Sequence, residues 1–256
     1  MPDGFLLFIL VGFLAQIVDG ALGMAYGVVS SSVLLSFGVP PAVASASTHA
    51  AEVFTTGASA GSHIWNRNVN WRLLLQLMPI GVICGVAGTY VLTSFDGSVL
   101  RPWITAYLGI MGLYILWRAW RPLRRRVEPR APLVAVLGGA GGFVDAVGGG
   151  GWGPVVTTGL IGAGGAPREV IGTVNTAEFV LTVAVSITFL LAIVTGHWDG
   201  TGLDRHAWAV AGLILGGLAA APLAGVVVRV IQPRALMVLV GVLICTLAVY
   251  QATQLV

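Results

Sequence analysis

The chain has 256 residues, 57% of them hydrophobic and only 9% charged, with a mean hydropathy of +0.92 and a formal net charge of +3. A soluble domain carries about 25% charged residues, so a soluble fold is excluded and the chain reads as an all-α integral membrane protein. Every basic residue is Arg, and the densest run, Arg118 to Arg130, adjoins apolar segments, which is a topology signal and not a nucleic-acid footprint.

In chain order, Met1-Pro2-Asp3-Gly4 lacks the basic start of a signal peptide, so the first apolar segment is expected to stay in the mature protein. Phe5 to Val18 is apolar but short for a span, and Asp19 with a glycine-rich bend is expected to end it. Val28 to Phe37 resumes the apolar run, and Gly38-Val39-Pro40-Pro41 turns, with Pro41 placed to start a helix. Ala42 to Ser62 reads as one long helix carrying Ser45, Ser47, Thr48, His49 and Glu52. After a polar loop, His63 to Asn70, Leu73 to Leu92 and Pro102 to Trp117 read as full spans. The second half repeats this plan: Leu133 to Val144 ending at Asp145, the Gly148–Gly151 run, Val155 to Ile161, and a turn at Gly164–Pro167. A long helix from Val170 to Thr195, a polar loop from Gly196 to His206, and spans Ala207 to Val230 and Ala235 to Gln251 complete it. Cys84 and Cys245 sit alone in apolar segments and read as small buried hydrophobes.

The two halves superpose without a gap at an offset of 126 residues. Asp19 falls on Asp145, Gly23 on Gly149, Gly27 on Gly153, Pro41 on Pro167 and Glu52 on Glu178; Tyr26 meets Trp152 and His49 meets Asn175. Coincidence at so many special residues points to an internal duplication. Residues 1–117 are expected to form one repeat, 118–131 an arginine-rich cytoplasmic linker, and 132–256 a second repeat. Each repeat should hold three full transmembrane helices plus a broken or re-entrant glycine-rich helix pair. If each half crosses an odd number of times, Arg67, Arg72, Arg168, Arg229 and Arg234 share the linker side, leaving Arg101 and Arg205 opposite. That arrangement makes the repeats inverted, as in many secondary transporters.

The chemistry concentrates at the centre of the membrane. With ~1.5 Å of rise per residue, Asp19 lies roughly 20 Å along its segment and Glu52 roughly 15 Å past the Pro41 turn, both near the middle of a ~30 Å core. Asp145 and Glu178 follow by repetition. An ionisable group at that depth costs at least ~2.5–3.5 kcal/mol, so these four face protein or a water-filled cavity. They either line a substrate or proton path or hold the broken helices in shape by capping helix ends and glycine-loop amides. Where each helix restarts, after Gly23 and after Gly151, free N–H groups and a positive dipole end face the midplane. Gly149, Gly150 and Gly151 either let a ligand approach those amides or allow tight helix crossings. His49 and Asn175 lie one turn before Glu52 and Glu178, on the same helix face. His49 can serve an oxyanion or relay a proton, or simply bond Glu52. Tyr26 and Trp152 are expected at the pocket wall. Two patterns are set aside as decoys: Gly57-Ala58-Ser59-Ala60-Gly61 lacks a strand-turn-helix, and Gly148–Gly153 lacks a preceding strand.

At these residues the chain resembles the sulfite exporter TauE/SafE family of bacterial membrane permeases. The resemblance rests on Asp19-Gly20 through Gly27, on Pro41 with His49-Ala50-Ala51-Glu52, and on Asn68-Val69-Asn70-Trp71. It rests equally on Gly142 through Pro154 and on Pro167-Arg168 through Glu178-Phe179. It implies export of sulfite, sulfoacetate or a related sulfur oxyanion. The expectation is therefore a secondary transporter of the cell (inner) membrane that works by alternating access, with proton coupling through Glu52 or Glu178. No cofactor, no metal cluster, no nucleophile–base pair and no nucleic-acid partner is expected; a homo-oligomer is left open. An anion channel, a cation or metal permease using the same pocket, and a membrane-embedded enzyme or receptor subunit are the competing readings.

Overall fold

The computed structural model describes residues 4–121, 128–230 and 232–255, and these are helical with no strand among them. The elements are α1 (Phe5–Leu22), α2 (Tyr26–Ser36), α3 (Pro41–Trp65), α4 (Trp71–Ser94), α5 (Gly97–Ala119) and α6 (Ala131–Gly148). A π-helical turn, Gly153–Thr157, runs into α7 (Thr158–Gly162), followed by α8 (Pro167–Val194), α9 (Leu203–Val230) and α10 (Pro233–Thr253). Part of the arginine-rich linker, residues 122–127, lies outside the described residues.

Seven of these helices are long and apolar enough to cross a membrane: α1, α4, α5, α6, α8, α9 and α10. Two differences from expectation have a common cause. Asp19 and Asp145 do not end their helices; α1 and α6 each continue for three more residues and reach 18. A carboxylate leaves the helix backbone intact, so the break waits for a residue that tolerates left-handed geometry. That residue is Gly23 (φ 65°) in one case and Gly149 (φ 66°) in the other. Their N–H groups close back onto the carbonyls of Asp19 and Asp145, as in a glycine-terminated helix. Conversely α3, 25 residues long, is not among the seven, because Ser45, Ser47, Thr48, His49, Glu52, Thr55 and Thr56 make it polar. All seven of those side chains are buried against protein. Pro102 lies inside α5, and Asp96 caps its start by accepting the Ser98 N–H at 2.8 Å, which holds its carboxyl below the ordinary value.

Contacts define two ends of the bundle. At one end Phe8, near the start of α1, meets Phe37, just past α2, with ring centroids 5.7 Å apart. α1 and α2 are therefore a hairpin open at this end. Trp208 stacks edge-on against Phe8, Arg101 donates to the Leu35 carbonyl at 3.4 Å, and Ser94 meets His197 at 3.0 Å here. At the other end Arg168 donates to the Asn68 side chain at 2.6 Å and to the Asn66 carbonyl at 3.3 Å. Arg234 lies over the Trp120 ring, 3.5 Å from its centroid. Pro129, just before α6, and Gly165, just after α7, line one cavity at this end, so the α6–α7 hairpin opens there. α1 packs chiefly on α9 and α6 on α4, while α3 pairs with α8 and α5 with α10.

The two hairpins touch at their tips. A Cβ on Gly27 would stand 2.9 Å from the Gly150 Cα, and one on Gly150 would overlap the Val28 nitrogen and the Gly27 carbonyl carbon. Ser31 donates to the Gly148 carbonyl at 2.5 Å and Thr157 to the Gly23 carbonyl at 2.7 Å, stitching one tip to the other. At Gly150 the nearest atoms are all backbone, so no side chain is free to yield there.

Gly150→Ala is therefore expected to lower stability by at least about 3 kcal/mol, the upper part of the overpacking range. Gly61→Ala, where no atom lies within 4 Å of the new methyl, should be neutral or stabilising by up to about 1 kcal/mol. Apparent melting temperatures in detergent check the contrast; equal values for the two variants would refute tip-to-tip backbone contact.

Candidate functional site

Asp19 and Asp145 each sit four residues before their glycine break, one helical turn back, with side chains that reach past it. The Tyr26 N–H donates to Asp19 Oδ1 at 3.4 Å, and the Trp152 N–H donates to Asp145 Oδ1 at 2.9 Å. The restart of each helix is thus capped by a carboxylate from its own hairpin, which offsets the orphan-amide cost of ending a helix in mid-membrane. The aromatic at each restart is pinned at its far end as well. Tyr26 donates its hydroxyl to the Leu213 carbonyl at 2.9 Å, and Trp152 its indole N–H to the Val174 carbonyl at 3.1 Å. Both rings are buried, wedged against glycines of the facing helices, Gly217 for Tyr26 and Gly81 for Trp152.

His49 does not bond Glu52. Its Nδ1 lies 2.8 Å from the Ser45 carbonyl, and its Nε2 lies 3.1 Å from Asp145 Oδ2. The carbonyl can only accept, so Nδ1 carries a hydrogen. Nε2 then faces a carboxylate oxygen at hydrogen-bonding distance, and one further proton is shared between imidazole and carboxylate. Ser45 adds a second tie, donating to the Ala146 carbonyl at 2.6 Å. Asp145 is consequently held by two elements, the Trp152 amide of its own hairpin and a histidine from α3.

Glu52 Oε2 accepts from Thr182 of α8 at 3.2 Å, while Oε1 has no partner among the described residues. Oε1 occupies the space beside Gly27, where a methyl would stand 2.6 Å away. Ligand-capable atoms of His49, Glu52 and Asp145 all lie within 4.8 Å of one another. The sequence reading placed all three at the midplane without expecting a metal cluster; helical spacing ties His49 to Glu52, and folding brings Asp145 to them from the opposite half. At the corresponding positions Asn175 donates to the Ile171 carbonyl of its own helix at 3.2 Å, and neither its Oδ1 nor Glu178 Oε2 has a partner among the described residues. Asp19, His49, Glu52, Asp145, Asn175 and Glu178 are all at most 5% exposed, so the site is closed to both ends in this conformation.

The glycines of the second run face protein. A Cβ on Gly149 would meet Ser31 and Ser45, and one on Gly151 would meet the Tyr107 hydroxyl. That hydroxyl donates to the Gly150 carbonyl at 3.0 Å. Gly23 packs against Ile171. These positions allow the tight crossings seen here. Tyr107 and Thr182 are site neighbours that sequence reasoning missed. Thr182 carried a signal in lying one turn past Glu178 on the same helix; Tyr107 carried none that sets it apart from the other polar residues of α5. The arginines around a second cavity, described below, were read only as topology markers.

Two interrupted helices enter from opposite ends and meet over a buried ionisable cluster, and the family and relative that the chain matches make this a membrane transporter. A sequence model of the sulfite exporter TauE/SafE family matches residues 8–251, and the chain belongs to that family. It is also 42% identical over 242 residues to the Probable membrane transporter protein YtnM of Bacillus subtilis (strain 168), covering 92% of this chain and 78% of that protein.

Because removing one member of a buried pair strands the other, His49→Ala should cost about 3–5 kcal/mol. Asp145→Asn, which keeps an acceptor for the Trp152 amide, should cost less. A double-mutant cycle by denaturant unfolding in mixed micelles should give a coupling energy above about 1 kcal/mol. Strict additivity would dissolve the pair.

Proposed function

We propose that the protein is a secondary transporter that exports a small sulfur oxyanion, sulfite or an organosulfonate such as sulfoacetate, by alternating access with proton coupling. The observation that carries this reading is the meeting of the two hairpin tips over His49, Asp145 and Glu52, each tip reached from one end of the bundle. The family's name supports the substrate class. The chain is read as two inverted repeats, 1–117 and 132–256, joined by a cytoplasmic linker in the inner membrane. The packing supports inversion: α1 on α9 and α6 on α4 are the same pair with the halves exchanged, whereas α3 with α8 and α5 with α10 pair each element with its own counterpart. The α1–α2 and α6–α7 hairpins open at opposite ends, and Arg168 and Arg234 gather at the linker end while Arg101 lies at the other.

In the mechanism, the capping carboxylates and the tip glycines hold the midplane closed. An incoming anion needs donors and cannot share the site with ionised Glu52, Glu178 and the two aspartates. Protons on these carboxylates remove the repulsion and turn acceptors into donors. His49, already sharing a proton with Asp145, is the relay, and Asn175 offers a neutral amide at the corresponding place. Rocking of one half against the other would part the tips toward one end at a time. Release of the anion and the protons on the far side then resets the carboxylates.

A cation or metal permease is the second reading, favoured by the three convergent ligand atoms and by the unpartnered Glu52 Oε1. Proteoliposome flux separates the two. Saturable sulfite uptake, competed by thiosulfate or sulfoacetate and accelerated by an imposed pH gradient, is expected. Glu52→Gln and Glu178→Gln should abolish the acceleration by the gradient and lower flux by about a hundredfold or more, the scale of a lost proton-transfer group. Flux of a divalent cation with none of any oxyanion, in folded protein, would transfer the site to the second reading.

A further inference from the structure

Beneath the hairpin tips, at the arginine end, lies a cavity of about 310 Å³. Its wall includes Leu22 and Met24 of the α1–α2 tip, and Arg118, Arg121 and Arg234 stand around it. The rest of the lining is largely apolar, and its hydroxyl, Thr158, is already committed to the Pro154 carbonyl and to the Tyr114 hydroxyl. Arg118 is only 8% exposed. A guanidinium carries five N–H donors, yet the acceptor Arg118 finds among the described residues is the Arg121 carbonyl, at 3.2 Å. Among the described residues no carboxylate forms an ion pair with Arg118, Arg121 or Arg234. Arg121 and Arg234 are instead held in place by aromatic faces, Arg121 over Trp117 at 4.7 Å and Arg234 over Trp120 at 3.5 Å from the ring centroids.

A buried cation without a counter-charge is costly, which is the position of Arg118; Arg121 and Arg234, exposed at the rim, add positive charge to the same apolar hollow. Guanidinium forks match the geometry of tetrahedral and pyramidal oxyanions, and stacking on indoles fixes them without using their donors. We propose that this cavity is an oxyanion-binding station at the arginine end, one layer of helix tip away from the midplane cluster. Its ligand is either a free oxyanion waiting to enter or the phosphodiester of an anionic lipid headgroup. The free-ion form rests on the transport reading above; the site itself rests only on the three arginines and the cavity.

The test measures binding without flux. Wild-type protein, Arg118→Gln and Arg234→Gln are reconstituted in nanodiscs of pure phosphatidylcholine and titrated calorimetrically with sulfite and with inorganic phosphate. A parallel set is reconstituted with phosphatidylglycerol, and lipid retained by the protein is read by native mass spectrometry. Saturable ion binding weakened about tenfold or more in both variants, the loss expected for a charge-assisted contact, supports the free-ion form. Phosphatidylglycerol retained by wild type and lost from both variants supports the headgroup form. Arg234 is exposed, so its variant carries the test should Arg118→Gln fail to fold. Neither ion nor lipid bound in an arginine-dependent way, by protein of unchanged melting temperature, would overturn the proposal. Sulfite binding here without sulfite flux in liposomes would refute the transport reading and leave this site standing.

Discussion

A helix that stops in the middle of a membrane must find partners for its open backbone groups inside the protein, and the rest of this structure depends on how that is done. Water cannot serve there. Asp19 and Asp145 supply the answer by capping the restarting helix at Tyr26 and Trp152. A buried carboxylate then creates its own demand, and for Asp145 that demand is met by His49 of α3. Each solution thus recruits a group from farther away, until the α6–α7 hairpin, α3 and α8 are bound into one polar centre. The glycines allow it geometrically, because only residues without a Cβ let the two tips come into backbone contact.

The polar centre is not symmetric, although its positions correspond at the 126-residue offset. Where one side has a histidine bonded across to Asp145, the other has Asn175 bonded within its own helix, with an oxygen left unpartnered. The difference lies in the neighbour of the glutamate: an ionisable imidazole beside Glu52 and a neutral amide beside Glu178. Among the described residues, oxygens of Glu52, Asn175 and Glu178 have no hydrogen-bond partner.

Much of this was legible in the amino-acid order because the signals are local. Apolar length marked the spans, glycine and proline marked the breaks, and four acidic residues at similar depth marked the midplane. Boundaries were misplaced where polarity was mistaken for helix termination: α1 and α6 run through their aspartates, since side-chain charge does not interrupt a backbone ladder. The partner of His49 was not legible. Helical spacing ties it to Glu52, but Asp145, 96 residues on, is nearer in space because the α6–α7 hairpin inserts its tip beside α3. The arginine-lined cavity was hidden for the same reason. Arg118 and Arg234 are far apart in sequence and meet only because α5 packs along α10.

The central claim is that the buried cluster opens alternately to the two sides of the membrane. Asn175→Cys, in a background with Cys84 and Cys245 replaced, probes it directly, since Asn175 is buried and bonds its own helix. A membrane-impermeant thiol reagent is applied to right-side-out and to inverted vesicles, with and without sulfite. The account predicts slow labelling from both faces, with rates that sulfite shifts. A cysteine that stays inert from both faces, or reacts from one face at a rate indifferent to sulfite, would contradict it.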